Sequence, residues 1–332
     1  TVIVTLSNPT NAVLGSDVSS IVGNAMAFAA LKADGSVVTW GGYSYGGDSS
    51  GVASSLSSGV SSIVSAANAF AAIKSDGSVV TWGYGSNSSD HNNYGGDSSS
   101  VASSLTSDVS SIVSTNYAFA ALKEDGSVVT WGDADRGGDS SSISSDLTGV
   151  SSIVSTGYAF AAIKTDGFDE AYNSVVTWGS ADYGGNSSSI SSDLTGVSSI
   201  VGNPYAFAAI KTDGSVVTWG YADYGGNSSS VDLTNVSSIV GADLAFAALK
   251  TDGSVVTWGY GSKSSDYYNG GGDSSTVASS LTSGVSSIVS NGNAFAALKE
   301  DGSVVIWGHS VYGGDSSSVE SSLSSGVSSI VG

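Results

Sequence analysis

Seven times this chain repeats one pattern: Ala-Phe-Ala-Ala-(Leu/Ile)-Lys-x-Asp-Gly, then Val-Val-(Thr/Ile)-Trp-Gly, then Gly-Gly-(Asp/Asn)-Ser-Ser. All seven tryptophans (Trp40, Trp82, Trp131, Trp178, Trp219, Trp258 and Trp307) fall at the same place in it, 39 to 49 residues apart. A period of that length containing only strand and turn signals predicts an all-β, seven-bladed β-propeller with one blade per repeat. The repeats place the propeller domain at residues 18–332. Residues 1–17 are left as an N-terminal strand and linker contributing to ring closure.

The first repeat shows how such a unit folds. Val18-Ser19-Ser20-Ile21-Val22 and Ala27 to Lys32 are β-rich runs, Ser36 to Trp40 returns, and Val52 to Leu56 is a weak outer segment. Asp34-Gly35 suggests a two-residue type I′ hairpin, which needs positive φ at both positions. Period-two alternation puts Phe28 and Ala30 on one face of the strand, and Ala29 and Leu31 on the other. Both faces are apolar, as a sheet between two neighbours requires. The tryptophans are expected between adjacent blades. The seven Asp-Gly aspartates are turn residues rather than catalytic carboxylates, and Lys32 and its six counterparts are expected to pair with them.

Ala30-Leu31-Lys32-Ala33-Asp34-Gly35-Ser36-Val37-Val38-Thr39-Trp40-Gly41, recurring seven times, resembles the repeats of the regulator of chromosome condensation family. The resemblance covers over nine-tenths of the chain and implies a seven-bladed β-propeller. Eukaryotic members that exchange guanine nucleotides on a small GTPase commonly carry Gly-x-x-His before the Ala-Leu strand. Here that place reads Asn24-Ala25-Met26-Ala27 or Asn116-Tyr117-Ala118, without His. Ser58-Gly59-Val60-Ser61-Ser62-Ile63 is similar to segments of the bacterial secreted propellers, including the β-lactamase inhibitor protein type. That likeness implies protein binding through loops on one face.

Candidate sites lie where repeats differ. Repeats two and six carry long insertions after Trp-Gly, which include Tyr84 and Tyr94 in one and Tyr260, Tyr267 and Tyr268 in the other. Repeat four lengthens its hairpin turn at residues 168–173. Tyr45, Tyr94, Tyr183, Tyr224 and Tyr312 precede the Gly-Gly pair in five repeats, with Arg136 in that place in a sixth. Together with Tyr221, these residues form a candidate partner-binding rim, since tyrosine offers rigid contact area with a polar tip. The alternative is that each tyrosine covers its own loop. Asp48, Asp97, Asp139, Asp273 and Asp315, with Asn186 and Asn227 in the other repeats, follow Gly-Gly. The five aspartates are weak calcium candidates, because Ca²⁺ takes about six to eight oxygen ligands. Asx-type loop capping is the simpler account. No other cofactor is expected.

Composition narrows the function. Nine Lys and Arg against 29 Asp and Glu give a formal charge of −20, which repels nucleic acid and anionic membranes. Without cysteine there are no disulfides and no thiolate chemistry. Two histidines, His91 and His309, sit in unlike contexts, and no Ser-His-Asp order or metal-binding spacing stands out. No apolar run reaches the roughly 20 residues of a membrane span. Thr1 without Met or signal pattern indicates a processed protein or a fragment.

The expected function is a non-enzymatic extracellular or cell-surface module, structural or adhesive, within a larger surface protein or assembly. Its partners would be proteins, cell-surface molecules or other copies of itself. The alternative is a secreted inhibitor that binds through one face; an enzyme comes third. One irregularity concerns the ends. Val18–Gly23 recurs as residues 327–332, making eight first strands for seven Ala-Phe-Ala-Ala strands. Either the terminal strands share a blade or the ring is cut from a longer array with a partial eighth blade.

Overall fold

Each repeat forms one three-stranded antiparallel sheet with its strands in chain order. The computed structural model describes residues 3–4, 12–13, 17–85, 93–165, 173–261 and 269–332. The chain is all-β with seven blades, as the repeats predict.

Two compact units divide it, Thr1–Thr148 and Gly149–Gly332. The first unit opens with a two-stranded pair, β1 (Ile3–Val4) and β2 (Ala12–Val13), in which Ile3 faces Val13. Blade one follows as β3 (Val18–Gly23), β4 (Ala27–Lys32) and β5 (Val37–Gly41). Blade two is β6 (Val60–Ser65), β7 (Ala69–Lys74) and β8 (Val79–Gly83). Blade three is β9 (Val109–Ser114), β10 (Ala118–Lys123) and β11 (Val128–Gly132).

The second unit opens with blade four: β12 (Val150–Ser155), β13 (Ala159–Lys164) and β14 (Ser174–Gly179). In blade five, β15 (Val197–Gly202), β16 (Ala206–Lys211) and β17 (Val216–Gly220) repeat the pattern. Blade six has β18 (Val236–Gly241), β19 (Ala245–Lys250) and β20 (Val255–Gly259). Blade seven has β21 (Val285–Ser290), β22 (Ala294–Lys299) and β23 (Val304–Gly308).

Within each unit, alternation along the middle strand builds the core. Ala27, Ala29 and Leu31 of β4 meet Phe70 and Ala72 of β7 and Trp82 of β8. The same exchange joins blades two and three, four and five, five and six, and six and seven. Phe and Trp are cross-strand partners, Phe70 opposite Trp82, and their rings stack 5.3 Å apart. Small alanines on one face therefore seat a bulky ring pair from the next sheet, which places Trp82, Trp131, Trp219, Trp258 and Trp307 between blades as expected.

The Asp-Gly turn differs from the expectation. Only the glycine has positive φ, +76° at Gly35, and the Gly35 amide donates to the Lys32 carbonyl at 3.0 Å. The loop is three residues, 33–35, ending on a left-handed glycine, rather than a type I′ pair. The reason lies outside the hairpin. The Gly35 carbonyl accepts the Val60 amide of the next repeat at 2.9 Å, and a Cβ on Gly35 would stand 2.7 Å from the Gly59 nitrogen. The turn is shaped to lock onto its neighbour.

Three further expectations are corrected. Lys32 does reach Asp34, at 3.7 Å, but lies closer to Asp17, at 3.0 Å. Lys250 bonds Asp232, and Lys74 and Lys299 donate to the carbonyls of Ser55 and Ser280. The turn carboxylates instead accept from the serine two residues on, as Asp34 does from the Ser36 amide and hydroxyl. The segment after Gly-Gly is no outer strand: it begins with a 3₁₀ turn at Ser50–Val52 and buries Leu56. Residues 327–332 also form no strand, although they repeat the sequence of β3.

A tyrosine-lined loop edge as candidate functional site

The loops after each third strand are held by a small set of repeated bonds. In all seven repeats the Asp or Asn after Gly-Gly accepts from the amide two residues on. Asp48 takes Ser50, Asp97 takes Ser99 and Asp139 takes Ser141. Asn186 takes Ser188, Asn227 takes Ser229, Asp273 takes Ser275 and Asp315 takes Ser317. These are Asx turns, and they occupy the calcium candidates in loop capping. The bonds from the Ser50 and Ser141 amides hold the Asp48 and Asp139 carboxyls below the usual carboxylate range. Among the described residues no three His, Asp or Glu side chains cluster as metal ligands.

A second bond orients the residue before Gly-Gly. Asn24, buried Thr115, Thr156 and Asn203, and exposed Asn291 occupy one position, just before each middle strand. Asn24 Nδ2 donates to the Tyr45 carbonyl, Asn203 to Tyr224 and Asn291 to Tyr312, each at 2.8 Å. Thr115 and Thr156 donate to the Arg136 and Tyr183 carbonyls at 3.2 and 3.1 Å. The same side-chain oxygens accept the amide that starts the middle strand, as Asn203 Oδ1 does from Ala206 at 2.8 Å. Repeats two and six carry Ala66 and Ala242 there. In those repeats Asn93 and Asn269, inside the loops, take over: each accepts from the second amide on, Gly95 or Gly271. Loop clamp and loop insertion exchange roles.

With the loops fixed, tyrosines gather along the sheet edges. In the first unit Tyr45, Tyr84, Tyr94 and Tyr117 form a chain with ring centroids 6.2, 5.0 and 4.9 Å apart. The Arg136 guanidinium lies 4.8 Å from the Tyr117 ring centroid and pairs with Asp133 at 2.6 Å. In the second unit Tyr158 meets Tyr183 at 4.4 Å, and Tyr183 meets Tyr205 at 5.6 Å. Tyr205 meets Tyr224 at 4.7 Å, Tyr221 stacks on Tyr224 at 4.9 Å, and Tyr224 meets Tyr260 at 5.6 Å. Burial and the neighbouring phenols of Tyr158, Tyr205 and Tyr221, with Asp182 beside them, push the Tyr183 phenol up. It therefore stays a neutral hydroxyl at physiological pH.

Most of the sequence candidates therefore touch one another rather than each covering only its own loop. Tyr312 is the exception, 57% exposed and in contact with His309. Tyr267 and Tyr268 lie outside the described residues. Sequence reasoning missed Tyr117, Tyr158 and Tyr205, which stand immediately before the Ala-Phe-Ala-Ala strand in repeats three to five. That position immediately precedes the middle strand, and pairing such as Ala206 with Gly220 brings it beside the residue after Trp-Gly.

No protein-family model and no curated protein matches the sequence. Solved structures do. The chain is similar to yeast RCC1 (Prp20), solved bound to Kap60, at 17% identity and TM-score 0.45, covering 74% of this chain and 70% of that one. It is similar to the CRINKLY WD40 ectodomain of the Arabidopsis thaliana receptor kinase ACR4 at 16% identity and TM-score 0.42, covering 88% and 95%. A third similar structure is the computationally designed Ika8 protein, at 12% identity and TM-score 0.38, covering 88% and 84%. No helix among the described residues is long and apolar enough to cross a membrane.

Proposed function

We propose that this chain is a non-enzymatic protein-interaction module, structural or adhesive in kind, and that its tyrosine-lined edges are the contact surface. One observation carries the proposal: the near-continuous ring contacts from Tyr158 to Tyr260 in the second unit, matched by Tyr45 to Tyr117 in the first. Such edges offer broad, rigid aromatic area with hydroxyl tips, at small cost in side-chain entropy. Arg136 over Tyr117 is an internal example of what they receive, a guanidinium lying over a phenol face. A partner rich in Arg and Lys also suits the charge of −20. The Ser- and Gly-rich, cysteine-free, acidic composition supports a place outside the cell or at its surface, within a larger assembly.

The test is retention of proteins from the native medium on the immobilised chain, compared with the variant Tyr183→Ala/Tyr205→Ala/Tyr224→Ala. The wild type should hold a basic protein, released by salt, and the variant should hold at least about tenfold less. Equal retention by a variant with unchanged circular dichroism would sink the proposal.

A further inference from the structure

The repeats with short loops differ at one exposed position. After Trp-Gly, repeat one carries Tyr43, where repeats three, four, five and seven carry Ala134, Ala181, Ala222 and Ser310. Tyr43 is 68% exposed and stands outside the ring contacts that run from Tyr45 to Tyr117. It lines a cavity of about 220 Å³ between the loop of blade one and the Trp-Gly edge of blade two. Asp48, Ser49, Thr81 and Trp82 line the same cavity.

Asp48 adds a negative charge to this aromatic wall. The Ser50 amide donates to its Oδ1 at 2.9 Å. That amide, with the Ser50 and Tyr43 hydroxyls, holds the carboxyl below the usual carboxylate range, so it is an anion at neutral pH. The chain itself shows what a phenol and a carboxylate receive together. The Arg136 guanidinium lies 4.8 Å from the Tyr117 ring centroid and bonds Asp133 at 2.6 Å. Among the described residues, no lysine or arginine lines the Tyr43–Asp48 cavity. A similar cavity of about 310 Å³ lies between blades five and six, against Trp258. There Ala222 and Asn227 take the places of Tyr43 and Asp48, and Asp223 supplies a carboxylate without a tyrosine ring. The hollow thus belongs to the fold, whereas the pairing of ring and anion at these two positions belongs to repeat one.

We propose that the Tyr43–Asp48 cavity is a subsite for one arginine side chain of a partner protein, with the guanidinium over the Tyr43 ring and donating to the Asp48 carboxylate. Arginine suits it better than lysine, because a planar guanidinium lies flat on a phenol and still donates in its own plane. The cavity is smaller than the roughly 300 Å³ at which sites for drug-sized molecules begin, which fits a single side chain. The formal charge of −20 draws a basic protein toward it. The subsite lies outside the tyrosine-lined edge and rests on the reading above only for the basic nature of the partner.

The test is an NMR titration of the whole chain with N-acetyl-arginine amide, in about 0.15 M salt to screen the general pull of the acidic surface. The Ser50 and Gly51 amides and the Trp82 indole should shift together and saturate. N-acetyl-lysine amide should bind at least about threefold more weakly; equal binding overturns the assignment to arginine. Free arginine, which adds a carboxylate, should bind no tighter than the capped form. Tighter binding would make the cavity a small-molecule site and overturn the proposal. Tyr43→Ala and Asp48→Asn bring in residues that repeat five already carries, and Asn227 keeps the bond from the second amide on, so both variants should fold. Tyr43→Ala should weaken binding about two- to fivefold, and Asp48→Asn about threefold or more. Unchanged binding by both variants overturns the proposal. So do equal shifts at Ser141 and Ser317, beside Asp139 and Asp315, which would show only diffuse attraction. The variant Tyr183→Ala/Tyr205→Ala/Tyr224→Ala should titrate like the wild type, so failure of the edge and failure of this subsite read out separately.

Discussion

The indole nitrogen of Trp82 donates to the carbonyl oxygen of Gly46, 36 residues earlier and one blade back, at 3.1 Å. This bond ties the repeats together, and blade one makes no counterpart. Trp82→Phe should therefore destabilise by about 1–3 kcal/mol, because it leaves a buried carbonyl unpaired and a smaller ring in a closed socket. Trp40→Phe removes a donor that has no acceptor among the described residues and should cost less than about 1 kcal/mol. Urea midpoints of dilute samples, followed by far-ultraviolet circular dichroism, rank the two.

Gly46 has a second constraint. Its φ is +95°, and a Cβ there would stand 2.6 Å from the Phe70 ring. Gly46→Ala should cost about 1–3 kcal/mol through strain and overpacking. Gly51, nearby, has no atom within 4 Å of its Cβ position. Gly51→Ala should be neutral or stabilise by up to about 1 kcal/mol, since it only restricts the unfolded chain. Similar thermal midpoints for the two variants would contradict this account of the junction.

Acid should act on some loops and not on others. The Asp48, Asp139 and Asp315 carboxyls are held below the usual range by the serine amides they accept, Ser50, Ser141 and Ser317. A depressed folded-state value means the stabilisation is present above the unfolded value, near pH 4, and is lost as pH falls through the folded one. Asn186 and Asn227 make the same bond without a charge. In an NMR titration from pH 7 downward, the Ser50, Ser141 and Ser317 amides should shift below about pH 4, while Ser188 and Ser229 should not follow that step. Uniform movement of all five would refute the assignment.

Asn203 joins stability to the candidate site. It is 5% exposed, accepts the Tyr205 and Ala206 amides and donates to the Tyr224 carbonyl. Asn203→Ala should cost about 1–3 kcal/mol and loosen two tyrosines of the edge together. Hydrogen exchange should then speed up at Tyr205, Ala206 and Gly226 while the β16–β17 ladder keeps its protection. Asn203→Thr should restore most of the loss, because Thr115 and Thr156 do the same work in repeats three and four.

Much of the blade was legible because its determinants are local. Alternation in Ala27 to Lys32 set which side chains share a face, and Phe28 and Trp40 fell opposite each other once the hairpin formed. The Asp-Gly turn was located correctly but given the wrong type. Its geometry answers to Val60, 25 residues away, and hairpin rules contain no such partner. The clamp at Asn24, Thr115, Thr156, Asn203 and Asn291 was invisible for a similar reason: two residue types share one task, and its acceptor is a backbone carbonyl about 21 residues on or more.

The tyrosine edge was half legible. The tyrosines before Gly-Gly stand in a repeated motif, but Tyr117, Tyr158 and Tyr205 precede a different strand. Only antiparallel pairing brings those ends together.

The sequence by itself determined the number of blades, their strands, their two apolar faces and the acidic surface, all consequences of short-range pattern and composition. Tertiary structure alone decided which loops converge and which amides and carbonyls lock neighbouring repeats. Those outcomes depend on groups meeting across 21 to 49 residues of chain, where a repeated motif reads the same whether or not a neighbour is there to receive it.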